Sequence, residues 1–101
     1  MNELVVAVPC VKVNEVTVED WLKKLDEEVA EFKAEILKCY KPDDVLIAGR
    51  MTDENKSRTA EEGADVCTVI ASIDERLGIV KSERLQAQLK VNIHNGKRGR
   101  L

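Results

Sequence analysis

Apolar residues recur at threes and fours through most of this chain, and that period predicts helices. Val18, Leu22, Leu25, Val29, Phe32 and Ile36 form the first such stripe. Thr17 stands before it with Asp20 three residues on, a variant of the capping box. The helix should end near Tyr40, because Pro42 cannot continue it. Asp44 to Met51 reads as a short second helix, and the polar run 52–58 as a flexible linker. Thr59-Ala60-Glu61-Glu62 repeats the capping pattern and opens a helix carrying Val66, Cys67, Ile70, Ile73 and Leu77. Gly78 is its natural stop. A last helix runs from a cap at Ser82 through Leu85, Leu89 and Ile93 to Asn95-Gly96. Before all of these, residues 3–13 are rich in Val and broken by Pro9, the mark of an extended arm. The expectation is one all-α domain over 1–101, an antiparallel bundle of about four helices. An extended N-terminal arm (1–16) precedes it and a basic tail (95–101) closes it.

Composition narrows this. Leu, Ile, Val and Phe total 29 residues, above the level of a disordered chain. Trp21, Phe32 and Tyr40 are the only aromatics, so the core is aliphatic. So short a chain gains buried surface by self-association, and a homodimer or homotetramer is expected. The net charge of −3 conceals an asymmetry: Arg84 to Leu101 holds Arg84, Lys90, Lys97, Arg98 and Arg100 and no acid, which leaves −8 on residues 1–83. A surface that acidic disfavours a nucleic-acid polymer. Cys10, Cys39 and Cys67 lie far apart with no C-x-x-C. They read as reduced thiols of a cytoplasmic protein, with Cys67 on an apolar stripe as a buried small hydrophobe. No apolar run is long enough to cross a membrane, and the first residues do not resemble a signal peptide.

Two acidic pairs then change the picture: Glu28-Val29-Ala30-Glu31 and Glu62-Gly63-Ala64-Asp65. Each puts two carboxylates about one turn apart on one helix edge, beside the stripe where two helices meet. Each alone has an ordinary explanation, either as a solvated face paired with Lys23 and Lys24 or as a cap. Together, and without an obvious basic partner, four half-buried carboxylates repel one another or take up protons. A hard cation removes that difficulty, and oxygen-only ligation suits magnesium shared with a phosphate substrate. His94 is the only histidine, so multi-histidine metal sites are excluded and a Ser-His-Asp triad is disfavoured. There is no glycine-rich phosphate loop.

With these motifs the sequence resembles the all-α nucleoside triphosphate pyrophosphohydrolase superfamily, the MazG-like group, over residues 17–100. That family carries E-E-x-x-E on one helix and E-x-x-D on a later one. Glu27-Glu28-Val29-Ala30-Glu31 matches the first, and Glu62-Gly63-Ala64-Asp65 the second. Asn95 and Arg98 fit the N-x-x-R part of a third element, whose lysine position holds Val91, with Lys90 one place earlier. The resemblance implies that Glu28, Glu31, Glu62 and Asp65 ligate magnesium, with manganese as a substitute. It implies Glu27 or Glu31 as proton acceptor, and Asn95, Arg98, Lys97 and Lys90 as substrate contacts. The implied reaction is water attack at the α-phosphorus of an NTP or dNTP, giving NMP and pyrophosphate. Phosphoribosyl-ATP pyrophosphohydrolase is the alternative of the same class, and a non-catalytic helical interaction module the alternative of another.

Overall fold

The computed structural model of the chain describes residues 7–98 apart from positions 11, 42, 44 and 48, and gives the backbone alone for 97 and 98. It is all-α. A single 3-10 turn, Val13–Glu15, leads into three helices: α1 (Val18–Leu37), α2 (Asp53–Arg76) and α3 (Lys81–Arg98). Among the described residues the only β-type pairing is an isolated bridge between Tyr40 and Leu46.

Helix α1 starts where its cap predicts. The Thr17 hydroxyl accepts the Asp20 N–H at 3.1 Å, satisfying one of the free donors of the first turn. Helix α2 ends on Gly78, whose φ of 81° only glycine adopts without strain. The Gly78 N–H bonds the Glu75 carbonyl at 3.0 Å and the Ile79 N–H the Asp74 carbonyl at 2.8 Å. That pair of bonds is the Schellman closure.

Helices α1 and α2 run antiparallel, since Trp21 packs near Val69 and Ile73 while Phe32 lies on Gly63. The core at one end of the pair gathers Val13, Trp21 and Val69, with Val16, Leu25 and Ile73 around them. The Trp21 indole N–H donates to the Val13 carbonyl at 2.9 Å, inside that core. Ser72, fully buried, accepts the Cys10 N–H at 2.9 Å and donates to the Thr68 carbonyl at 2.8 Å. The first of these bonds docks the N-terminal segment onto α2, and the second, within α2, fixes the Ser72 hydroxyl that receives it.

Several expectations need correction. The described part of the N-terminal segment is no extended arm: 7–10 has no regular structure, and Val13–Glu15 is a packed 3-10 turn. Residues 1–6 lie outside the described part. The helix expected over 44–51 does not form. There the Lys41 N–H donates to the Val45 carbonyl at 2.8 Å and the Ile47 N–H to the Cys39 carbonyl at 2.7 Å. The chain thus folds back on itself as a hairpin-like loop between Lys41 and Val45, and a separate turn, closed by the Arg50 N–H on the Ile47 carbonyl at 3.1 Å, holds Gly49 at φ 73°. The stretch 53–58 is not a linker but the first turns of α2, capped by Thr52, whose hydroxyl accepts the Asn55 N–H at 3.1 Å. Asn55 holds this start by donating its amide to the Arg50 carbonyl. Thr59 then sits within the helix, its hydroxyl donating to the Asn55 carbonyl at 2.9 Å. Nothing stops a helix between Asp53 and Thr59, so the earlier cap wins. Likewise α3 continues through Gly96 to Arg98.

Cys39, not Cys67, is the buried thiol, donating to the Arg50 carbonyl at 3.4 Å. Cys67 is exposed with Ile70 and Leu77, because no described helix covers that flank of α2. Three helices replace the expected bundle of about four. Helix α3 stands largely apart: the packing is of α1 on α2 and of the 3-10 turn on α2. The radius of gyration is 16.0 Å, against about 13 Å for a compact chain of this length. Arg84 anchors the start of α3, donating to the Ile79 carbonyl at 3.0 Å and lying 3.6 Å from Glu75. No described helix is long and apolar enough to cross a membrane.

Replacing Trp21 by Phe keeps the ring in the core but strands the Val13 carbonyl. A buried acceptor left unpaired costs about 1–3 kcal/mol. Urea unfolding of Trp21→Phe should show a loss of that order.

Candidate metal centre

The acidic pairs meet across the α1–α2 contact. Glu28 from α1 and Glu62 and Asp65 from α2 each offer a carboxylate oxygen, and these oxygens all lie within 4.8 Å of one another. The antiparallel register brings them there. Trp21 fixes one end of the pair, and Phe32 fixes the other by lying against Gly63, where a Cβ would sit 3.2 Å from the ring. Gly63 therefore sets the close approach of the helices between the two α2 carboxylates. Phe32 and Gly63 have no place in the metal reading of the sequence, yet they position it.

The three carboxylates differ in depth. Glu28 is buried, with 7% of its surface exposed, Glu62 is half-buried, and Asp65 opens to solvent. Lys24, one turn before Glu28, pairs with its Oε1 at 2.9 Å. This corrects the expectation that the cluster has no basic partner. The i,i+4 spacing was legible, but the burial of the Glu28 end was not. The other oxygen, Glu28 Oε2, is buried without a partner, and so is Glu62 Oε2. Buried polar atoms are nearly always bonded, so two orphaned carboxylate oxygens in one cluster mark an unmet demand for positive charge. Lys24 meets part of it. Its amine is held above its ordinary pKa, first by the hydrogen bond to Glu28 and then by that residue's charge.

Glu31 stands at the rim of the cluster. Its carboxyl is pushed above its ordinary value first by the charge of Glu28, then by partial loss of hydration and by the charge of Glu62, with Lys24 opposing the rise. Glu27 lies further out, its side chain largely exposed and 3.9 Å from Lys24. Of the residues singled out on the C-terminal helix, Lys90 is exposed and Asn95 half-buried. The side chains of Lys97 and Arg98 lie outside the described residues. The structure thus joins Glu28, Glu62 and Asp65, with Glu31 beside them, and does not bring α3 onto that edge within one chain.

The donor set fits a hard divalent cation. Opposite oxygens around magnesium lie about 4.2 Å apart and around calcium about 4.6–5.2 Å. A spread of up to 4.8 Å spans a single ion, with slight closure of the side chains for magnesium. Compared with known proteins, the chain matches no family model, no curated protein and no solved structure.

The raised Glu31 carboxyl gives a pH signature. Its folded pKa exceeds the unfolded one, so its protonated form stabilises the fold below the ordinary value of 4.5. That contribution is lost as pH rises through the folded pKa. In metal-free buffer, urea unfolding should therefore show the stability of Glu31→Gln rising relative to the native chain as pH increases from that value, and a constant difference would contradict it.

Proposed function

We infer that this protein is a magnesium-dependent nucleotide pyrophosphohydrolase of the MazG-like type, cleaving the α–β phosphoanhydride of an NTP or dNTP to NMP and pyrophosphate. The observation that carries this reading is the pair of orphaned, buried oxygens on Glu28 and Glu62, set against Asp65 across two helices. Glu28, Glu62 and Asp65 would hold the ion, with Glu31 as a fourth ligand. Magnesium there supplies charge neutralisation at the phosphates and a lower pKa for the attacking water. Glu31, at the rim of the cluster beside Glu28, is placed to take the proton from the attacking water where it is not used in ligation. Glu27 is the weaker choice, being further out and turned to solvent. Lys24 already lies at the cluster, and its exposed amine can swing from Glu28 to a phosphate once a metal takes over the carboxylate. Lys90, Asn95, Lys97 and Arg98 would meet base, ribose or phosphate in an assembled homodimer or homotetramer. Phosphoribosyl-ATP is the alternative substrate of the same chemistry.

A non-catalytic interaction module is the competing reading. It is favoured by the exposed apolar residues of α3, Leu89, Val91 and Ile93.

The test is a panel of canonical and modified nucleotides, phosphoribosyl-ATP included, assayed for pyrophosphate release with magnesium or manganese. Release should vanish with EDTA and drop at least about 100-fold in Glu62→Gln, in line with the weight of metal-held phosphate chemistry. No turnover on any nucleotide would leave the interaction module as the reading.

A further inference from the structure

Helix α1 shows a second pattern, on the flank turned away from the carboxylates. Leu22, Asp26, Ala30, Lys33 and Leu37 are exposed on one ridge of the helix. At 3.6 residues per turn, Leu22 lies roughly a third of a turn round from Glu28. Leu22 and Leu37 are 50% and 51% exposed, and Ile36 beside them is 37% exposed. Asp26 and Lys33 make no ion pair among the described residues, unlike Glu19, Glu27, Glu28 and Glu35 on the same helix.

Read in either direction, the ridge is apolar, charged, small, charged, apolar, with the two charges opposite in sign. An antiparallel copy of it is therefore complementary at every step. Leu22 meets Leu37, Asp26 meets Lys33, and Val29 and Ala30 meet each other at the centre, where the small Ala30 lets the helices approach. A parallel copy would set Asp26 on Asp26 and Lys33 on Lys33. On α2, Ile70 and Leu77 are exposed as well.

We propose that α1 is a self-docking helix: a second copy of this chain packs antiparallel on its Leu22–Leu37 ridge, about a twofold axis at Val29 and Ala30, with Asp26 of each copy paired to Lys33 of the other. Such an isologous contact uses one patch twice and so needs self-complementarity, which the ridge has in shape and in charge. Two α1–α2 pairs joined this way form four packed helices, and the acidic cluster stays open on the outer side of each pair. The interface is independent of what the cluster binds.

Charge swaps test it, because all the altered side chains are exposed and the isolated fold should tolerate them. The full chain should sediment as a dimer. Asp26→Lys and Lys33→Asp, each alone, place like charges opposite one another. Each should weaken self-association by about tenfold or more while helical content stays unchanged. The double variant D26K/K33D restores both pairs and should recover the dimer. An equimolar mixture of the two single variants should form heterodimers more tightly than either forms homodimers. A monomeric native chain, or one dimerisation constant shared by all four proteins and the mixture, overturns the proposal.

Discussion

Glu28 is a carboxylate that the α1–α2 contact places in the interior with only half its charge answered. One oxygen rests on Lys24 and the other on nothing. A buried charge is tolerable when it is paired and its remaining lone pairs are bonded; otherwise the penalty reaches several kcal/mol. Here the nearest groups make the position worse, for Glu62 and Asp65 are carboxylates within 4.8 Å and Glu31 stands at the rim. The rest of the pair is organised so that this arrangement persists. Trp21 is pinned by its bond to Val13 at one end of α1, and Phe32 rests on Gly63 at the other. Helices held at both ends cannot slide to relieve the repulsion between them. What relief remains is protonation, which the raised Glu31 carboxyl shows, or a cation.

The same rigidity distinguishes this cluster from a solvated acidic face. On a solvated face every carboxylate reaches water and neighbouring lysines, as Glu19, Glu27 and Glu54 do here with Lys23, Lys24 and Arg58. Such pairs contribute little to stability. Glu28 and Glu62 cannot do this with their inner oxygens. Depth, more than the number of acidic residues, is the feature that asks for a ligand.

Much of this was legible in the chain. Thr17, the period from Val18 to Ile36 and the stop at Gly78 mark the start and course of α1 and the end of α2, because these signals are local hydrogen-bond chemistry, while α1 itself stops at Leu37, short of Tyr40. The start of α2 was misplaced because Thr52 and Thr59 offer rival caps, and pattern alone cannot say that a polar stretch will be helical. The loop over 41–50 was misread because its pairing, Lys41 with Val45 and Cys39 with Ile47, is tertiary in character. The acidic motifs announced which residues would converge, but not that Glu28 would be the buried member, nor that Lys24 would claim one of its oxygens. The exposure of Cys67, Ile70 and Leu77 follows from α3 standing apart, which the apolar stripe of α3 did not foretell. That stripe predicts burial without naming the partner.

The most direct test of the account is the melting temperature titrated with magnesium or manganese at constant ionic strength. A ligand that binds only the folded state raises stability as its concentration passes its dissociation constant. The native chain should show a saturable rise that Glu28→Gln and Glu62→Gln abolish. A flat response in the native chain, or the same rise in all three proteins, would contradict a cation site at Glu28, Glu62 and Asp65.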